Sequence, residues 1–313
     1  MESFTSASLD RKQCFNLRHQ PIHLHDLSSR TQRLRIGPTN LTVDLIQQLP
    51  EALEYLEWDM GHEAAVDENA LRELFKMPHL KHLSFHFRNS DVIQSLKRCL
   101  PCATKLIGLD LRSNLIGDEG IADLVESLLQ TNLKSLKLGL NRITDVGAKS
   151  LAQLVSHPNC QLTHLDLNCN LIGNSGGCAL AKSLKENTTL KTFVLYGNAQ
   201  LSCGRDFVEC LQFNSSISDW NLQRTQIKSF EVSLIKYWLM LNKCGRKILK
   251  DDKLPSGLWP HFLEKHASRE QDALFYFLSQ KPDLIQKYRP ICKKWRSQTK
   301  SHDVDKLYQV GTK

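Results

Sequence analysis

The sequence predicts an α/β solenoid, a chain of repeated strand–turn–helix units, and three observations carry that prediction. Consecutive segments starting at Leu106, Leu133 and Leu162 each read LxxLxLxxNxI, followed by a glycine and a helical stretch. Their asparagines fall at 114, 141 and 170, with a fourth at 198, so the intervals are 27, 29 and 28 residues. Self-similarity at a period of about 20–50 residues marks an architecture of stacked repeats. Finally, the chemistry of the repeat fits one strand, one turn and one helix per copy.

The strand comes first in each copy. Leucines two residues apart share one strand face, so Leu109/Leu111, Leu136/Leu138 and Leu165/Leu167 feed a common core. The turn follows. A side-chain amide can bond backbone groups that a turn leaves unpaired, so Asn114, Asn141, Asn170 and Asn198 are expected to stack into a structural ladder. The glycines at 120, 147 and 176 then open stretches such as Ile121, Leu124, Val125 and Leu128, with helical periodicity.

Degenerate copies flank these three. Leu34 and Ile36 read as a first strand, followed by the amphipathic LTVDLIQQL. LEYLEWD from Leu53 and LKHLSFHF from Leu80 keep the strand pattern but lack the asparagine, so their turns must differ. ISDWNLQRTQI from Ile217 points Trp220 and Leu222 inward and puts Thr225 where the asparagine belongs. The expected array has about eight repeats over residues 31–242, with an N-terminal flank at 1–30. Atypical terminal copies are what a solenoid needs to close its ends.

Composition divides the chain at the same place. Of the 313 residues 41% are hydrophobic and 24% charged, a folded-protein balance, and the net charge is +8. Residues 243–313 hold 16 basic and 8 acidic residues, whereas the first 242 hold 25 of each. The excess charge therefore belongs to a C-terminal segment, read as a helical cap with a basic tail. SLIKYWLML reads as a buried helix, Gly245 as its C-cap with positive φ, and LWPHFLEKH and DALFYFLSQ as two short amphipathic helices. Trp238, Trp259, Phe262, Phe275 and Phe277 are expected to cover leucines left bare by the last repeat.

No apolar run approaches the ~20 residues of a membrane span, and the N-terminus lacks the apolar stretch of a secretory signal. The ten cysteines are accordingly expected as reduced thiols in an intracellular, cytoplasmic or nuclear, protein. The sequons at Asn40, Asn187 and Asn214 are then chance matches.

The three central copies resemble the repeats of the ribonuclease-inhibitor-like leucine-rich-repeat family, shared with NOD-like receptors and the Ran GTPase-activating protein. NxIxdxG followed by a helix ending in SLL, QLV or SLK carries the resemblance, which is strong over 106–201 and weaker over the rest of 31–242. It implies a right-handed α/β horseshoe, with a parallel sheet on the concave side and helices outside. The tail pattern LNxxGR, LPxGLWPxxL and LFYFLxxKPDL resembles a segment that recurs after repeat domains in uncharacterised microalgal, diatom-like proteins, and it brings no known activity.

Strand alternation then predicts the concave side chains. One column holds Tyr55, His82 and His164, the next Glu57, Asp110, Lys137, Asp166 and Asn221, and the third Asp59, His86, Arg112, Asn168 and Tyr196. Tyr55, Arg112 and Tyr196 are the candidate anchors for a protein partner, since aromatic and arginine side chains carry most interface energy. The expected function is a non-catalytic protein–protein interaction scaffold, monomeric and without cofactor. The family offers one alternative, activation of a small GTPase, although the Ran-type activators carry an acidic tail where this one is basic. Ribonuclease inhibition fits poorly with a neutral repeat body. A nucleotide-binding receptor would need GxxxxGK[ST], which is absent.

Other chemistry finds little purchase. CLPC at 99–102 has the spacing of half a zinc site or a redox pair, but no second pair lies nearby. His82 and His86 share a strand face at about 13 Å separation, too far for one metal. His23 and His25 lack a third ligand. Lys293, Lys294, Trp295 and Arg296 in the tail mix basic and aromatic residues, so the tail is a possible RNA or nuclear-import contact.

Overall fold

The computed structural model describes residues 14–17, 29–37, 39–61, 66–87, 91–251 and 271–280. Among these residues nine parallel strands form one open sheet in strict sequence order, β1 to β9. They are β1 (Cys14–Leu17), β2 (Arg33–Ile36), β3 (Tyr55–Asp59), β4 (His82–His86), β5 (Gly108–Asp110), β6 (Ser135–Lys137), β7 (His164–Asp166), β8 (Thr192–Val194) and β9 (Asp219–Asn221). From β2 onward a helix follows every strand: α1 (Val43–Gln47), α2 (Glu68–Lys76), α3 (Asp91–Cys99), α4 (Gly117–Leu129), α5 (Asp145–Ser156), α6 (Asn174–Leu184), α7 (Gly204–Phe213) and α8 (Ser229–Lys243). Among the described residues two short helices come after them, α9 (Lys247–Asp251) and α10 (Gln271–Gln280). This is an α/β solenoid. Strands repeat about every 4.8 Å and packed helices about every 8–10 Å, so stacking the two layers curves the sheet inward.

One strand exceeds the expected eight. β1 pairs in parallel with β2, Cys14 opposite Arg33 and Leu17 opposite Ile36, inside the segment read as a flank. Its CFNL sequence carries only a fragment of the repeat pattern, which explains why it is hard to see.

Two apolar columns run along the side of the sheet that faces the helices. Leu56, Leu83, Leu109, Leu136, Leu165, Phe193 and Trp220 are cross-strand neighbours, and all are buried. Beside them Trp58, Phe85, Leu111, Leu138, Leu167, Leu195 and Leu222 form the second. Each helix lays its own apolar face on these columns, for example Ile121 and Leu124 of α4 or Leu151 and Val155 of α5.

The ladder of asparagines ends the strands. Asn141 is fully buried, accepts from the amides of Asn114 (2.9 Å) and Ile116 (3.3 Å), and donates to the carbonyl of Leu111 (2.8 Å). Asn170 does the same for Asn141, Ile143 and Leu138. Asn198 serves Ile172 and Leu167, and Asn114 serves Phe87 and Phe85. Each amide thus satisfies backbone of the preceding repeat. The strands β5 to β8 that meet this turn have three residues, whereas β3 and β4, which lack the asparagine, run for five. At the far end Thr225 bonds only its own turn, at Leu222 (2.7 Å).

Two further ladders escape the sequence reading. Asp118 accepts from the amides of Thr144 (2.8 Å) and Gly147 (2.9 Å), and Asp145 from those of Gly173 (2.7 Å) and Gly176 (2.8 Å). A carboxylate in one repeat therefore caps the helix of the next, where unpaired amides and the helix dipole favour negative charge. Glycine is needed at 147 and 176 because a β-carbon there would lie 2.6 Å from Asp118 Oδ1 and 2.7 Å from Asp145 Oδ1. At the other helix ends, Asn187, Asn214 and Asn242 donate to carbonyls of Val155, Leu184 and Asn214 respectively. The sequon asparagines 187 and 214 thus have structural work for their side-chain nitrogens.

Beyond the last repeat the chain folds back. Gly245 has φ 87°, the left-handed C-cap expected of it. Next to it Arg246 is 3% exposed, and its guanidinium donates to the carbonyls of Leu211 and Asn214 (2.5 Å each) while lying 4.6 Å from the Trp238 ring centre. A buried cation here complements the C-terminal end of α7, and burial lowers its pKa from the ordinary arginine value. Trp238 meets Tyr276 of α10 edge-on at 5.9 Å, and Phe277 is fully buried. The segment SLIKYWLML is only partly buried: Ile235, Leu239 and Leu241 of α8 are buried, whereas Leu234 is 44% exposed. Trp259 and Phe262, and the Phe275 side chain, lie outside the described residues.

Replacing Asn141 with alanine leaves two buried amides and a carbonyl without partners. Asn141→Ala should lower the unfolding free energy by about 3 kcal/mol, measured by urea denaturation. The exposed Asn159→Ala should stay within about 0.5 kcal/mol of the parent.

Candidate functional site

Strand geometry alone decides which side chains face the concave surface, because the residues between the buried leucines must point the other way. The register makes Tyr55, His82, Gly108, Ser135, His164, Thr192 and Asp219 direct neighbours across seven strands. It does the same for Glu57, Ser84, Asp110, Lys137, Asp166, Val194 and Asn221. Asp59 pairs with His86, and the ladder continues past the strand ends through Ser113 to Gly139 (3.0 Å), Leu140 to Asn168 (2.9 Å) and Cys169 to Tyr196 (2.7 Å). The third column, with Arg112, Asn168 and Tyr196, is therefore aligned as well.

The sequence columns begin at Tyr55 and read as acidic toward the N-terminal half. β2 changes that balance by adding Arg33 and Arg35 to the same face. Arg35 pairs with Glu57 at 2.6 Å. Asp110 takes a two-pronged bond from Arg112 (2.9 and 2.7 Å) and lies 3.6 Å from Lys137. Burial works to raise the Asp110 carboxyl, but the Arg112 bonds outweigh it and hold the pKa below the usual carboxylate range. His86 joins these groups, with Nε2 3.2 Å from Ser84 Oγ and 3.9 Å from Glu57, and Nδ1 3.3 Å from the Arg112 carbonyl. One polar network thus spans β2 to β6. Exposed ion pairs add little stability, about 0–1 kcal/mol each, so the network chiefly fixes where these side chains point.

The three anchor candidates are each held by a neighbour. Tyr55 lies between the Arg33 guanidinium (5.3 Å from the ring centre) and the His82 ring (6.3 Å). Arg112 is locked on Asp110, and Arg224 stands 5.4 Å over Tyr196. The His82 ring fills the space above Gly108, where a β-carbon would come within 2.4 Å of it.

Ser84, His86 and Glu57 together have the residue types of a nucleophilic triad but not its geometry. Ser84 is 3% exposed, and both it and the carboxylate face the same ring nitrogen. A triad needs serine and acid on opposite nitrogens. Among the described residues no group of three or more His, Cys, Asp or Glu could hold a metal ion. At CLPC, Cys99 is buried with its thiol 3.7 Å from the Glu68 carbonyl, and Cys102 lies 4.0 Å from the Arg72 guanidinium. The eight cysteines with described side chains are free thiols, and burial pushes Cys210 up to about 12. A thiol held protonated by burial, as Cys210 is, packs rather than reacts. No helix among the described residues is long and apolar enough to cross a membrane. His23, His25 and the tail residues Lys293, Lys294, Trp295 and Arg296 lie outside the described residues.

Comparison with known proteins bears on the same stretch. Residues 103–125, 130–152 and 159–181 match the leucine-rich-repeat family. The chain is similar to mouse ribonuclease inhibitor, 40% identical over 94 residues that cover 29% of this chain and 20% of that one. It is also similar to mouse NACHT, LRR and PYD domains-containing protein 4E, 37% identical over 97 residues, 30% of this chain and 10% of that one. The aligned part thus spans a fifth or less of these relatives' length. Among solved structures, the tropomodulin C-terminal domain of Caenorhabditis elegans aligns with TM-score 0.44 and 16% identity, over 51% of this chain and 99% of that domain.

The concave face carries its own pH signature. Burial, then Arg33, lowers the pKa of His82 from its ordinary 6.5, and burial lowers that of His164. The unfolded chain therefore takes up protons before the folded one does, so stability is full above about pH 6.5 and falls as pH drops below it. The thermal midpoint should decline between pH 7.5 and 5.5, and the decline should be shallower in His82→Gln/His164→Gln.

Proposed function

The central repeats are leucine-rich repeats of the ribonuclease-inhibitor-like type, and from that premise we propose that this chain is a non-catalytic scaffold holding a protein partner on its concave face. Repeats of this kind make protein-binding scaffolds, and the finer reading rests on one observation. Tyr55, Arg112 and Tyr196 stand on a single rigid sheet, each fixed by a neighbouring side chain. Strand spacing puts Tyr55 and Arg112 about 10 Å apart along the sheet and Tyr196 about 14 Å further on. Side chains already held in place lose little freedom on binding, which is how a few anchors come to supply most of the affinity.

The rest of the face suits recognition by pattern. Cationic Arg33, Arg35, Arg112 and Lys137 alternate with anionic Glu57, Asp110 and Asp166, so a partner must match signs position by position. The eight free thiols support an intracellular, reducing setting. The chain acts as a monomer on this reading, with the segment from residue 243 as a cap.

Affinity purification of the full chain should recover a stoichiometric protein partner. Arg112→Ala with Tyr196→Ala should weaken that complex at least about tenfold, measured by calorimetry with the recovered partner. Retention of every partner by the double variant would remove the concave-face assignment. Acceleration of GTP hydrolysis across a panel of small GTPases would replace the scaffold reading with that of a GTPase activator.

A further inference from the structure

We propose that Asp166 and Asn168, on β7 and the turn after it, form an arginine socket on the concave face, and that the socket takes an arginine side chain of the partner protein. The inference deepens the scaffold reading and rests on it.

The chain itself shows what such a socket looks like when filled. β5 and its turn read LDLR over residues 109–112. Asp110 Oδ1 accepts from the Arg112 backbone amide (3.2 Å), and the Arg112 guanidinium closes on both oxygens, with Nε 2.9 Å from Oδ1 and Nη2 2.7 Å from Oδ2. β7 and its turn read LDLN over residues 165–168 and make the same local bond, from the Asn168 amide to Asp166 Oδ1 at 2.9 Å. Asp110, Lys137 and Asp166 are register neighbours, so the two carboxylates stand in one column. The position that supplies a guanidinium in β5 supplies a carboxamide in β7.

The charge of Asp166 is accordingly uncompensated. Asp110 and Asp166 are both 8% exposed, yet Asp166 makes no ion pair among the described residues, whereas Asp110 has Arg112 and, at 3.6 Å, Lys137. Asn168 Oδ1, which lies over Gly139, is also buried and without a hydrogen-bond partner among these residues. A desolvated carboxylate without a cation and an unpaired acceptor both cost the folded state. A guanidinium relieves both. It gives a carboxylate two parallel N–H bonds and has three more donors, one of which meets Asn168 Oδ1 on a turn of that side chain. A lysine ammonium brings the charge without the fork.

The surroundings favour a cation from outside. The first two concave columns over β7, β8 and β9 hold two carboxylates, Asp166 and Asp219, and no lysine or arginine. Val194 stands opposite Asp166 in β8 and gives the stem of an incoming arginine an apolar surface. Strand spacing puts Asp166 about 10 Å from Asp110 along the sheet, and Arg112 is held at the nearer carboxylate by its two-pronged bond.

The probe is a displayed library of random 12-residue peptides selected on the full chain, with the protein partner recovered by affinity purification measured beside it. The expected peptides share one arginine, and changing it to glutamine weakens binding at least about tenfold while lysine retains part of the affinity. Asp166→Asn should weaken peptides and partner by the same factor. Asn168→Arg rebuilds the Asp110–Arg112 arrangement at β7, so it should abolish peptide binding and leave the thermal midpoint unchanged or raised. Asp166→Asn keeps an acceptor for the Asn168 amide, so the test stands whatever Asn168→Arg does to folding. Peptides without a common arginine, or peptides that bind Asp166→Asn as they bind the parent, overturn the proposal. So do peptides that still bind folded Asn168→Arg. A partner lost in Arg112→Ala/Tyr196→Ala but unmoved by Asp166→Asn sinks the socket and leaves the scaffold reading standing. Arginine peptides held at Asp166 beside a protein partner indifferent to every concave variant do the reverse.

Discussion

The buried side-chain amide at the end of each strand is the interaction on which the rest of this structure depends. A parallel strand that must turn sharply toward a helix leaves amides and carbonyls pointing into an apolar interior. Each unpaired group there costs about 1–3 kcal/mol. Asn141 reaches the Gly139 carbonyl of its own turn, but most of its bonds serve the repeat before it, at the Asn114 and Ile116 amides and the Leu111 carbonyl. The satisfaction of one turn is therefore held by the next copy. Such a repeat cannot be stable alone, and the array is cooperative by construction.

The same logic recurs twice at other heights of the solenoid. Asp118 and Asp145 cap the helices of the following repeats, while Asn187, Asn214 and Asn242 reach carbonyls near the opposite helix ends. Three ladders pin the two layers at three levels, so the register of neighbouring strands cannot slip without orphaning polar groups. That rigidity is what makes the exposed sheet useful. Columns of side chains keep fixed spacing, and the ionic network from Arg35 to Lys137 orients them further. Where Thr225 ends the asparagine ladder, the chain changes strategy. Arg246 takes over the polar role by meeting the carbonyls at the end of α7, and Trp238, Tyr276 and Phe277 supply apolar cover.

Much of this was legible in the sequence because it is periodic. The interval between asparagines predicts the turns, and the paired leucines predict both the core columns and, by alternation, the side chains that face away. Features without periodicity were harder to see. β1 lacks the leucine signature, and in β2 the pattern of Leu34 and Ile36 marks the buried face without showing that Arg33 and Arg35 meet Tyr55 and Glu57 on the other. The carboxylate ladder does have a signal, since Asp118 and Asp145 precede their glycines at fixed offsets. Its meaning needs three dimensions, because each carboxylate serves the next helix. Density of apolar residues does not report burial in α8, where Leu234 is 44% exposed. Nothing in composition announces the positive φ of these turns, which Ser113, Leu140, Cys169 and Arg224 share at 62°, 58°, 50° and 55°.

Hydrogen exchange at the turns tests the central claim most directly. If the amides interlock the repeats, peptides covering residues 110–117, 137–144 and 166–173 should exchange only through global unfolding. Their opening free energies would then match those of the buried strands and fall together as urea is added. Turns that open at lower free energy than their own strands, each independently of its neighbours, would show that the ladder decorates the solenoid rather than holding it together.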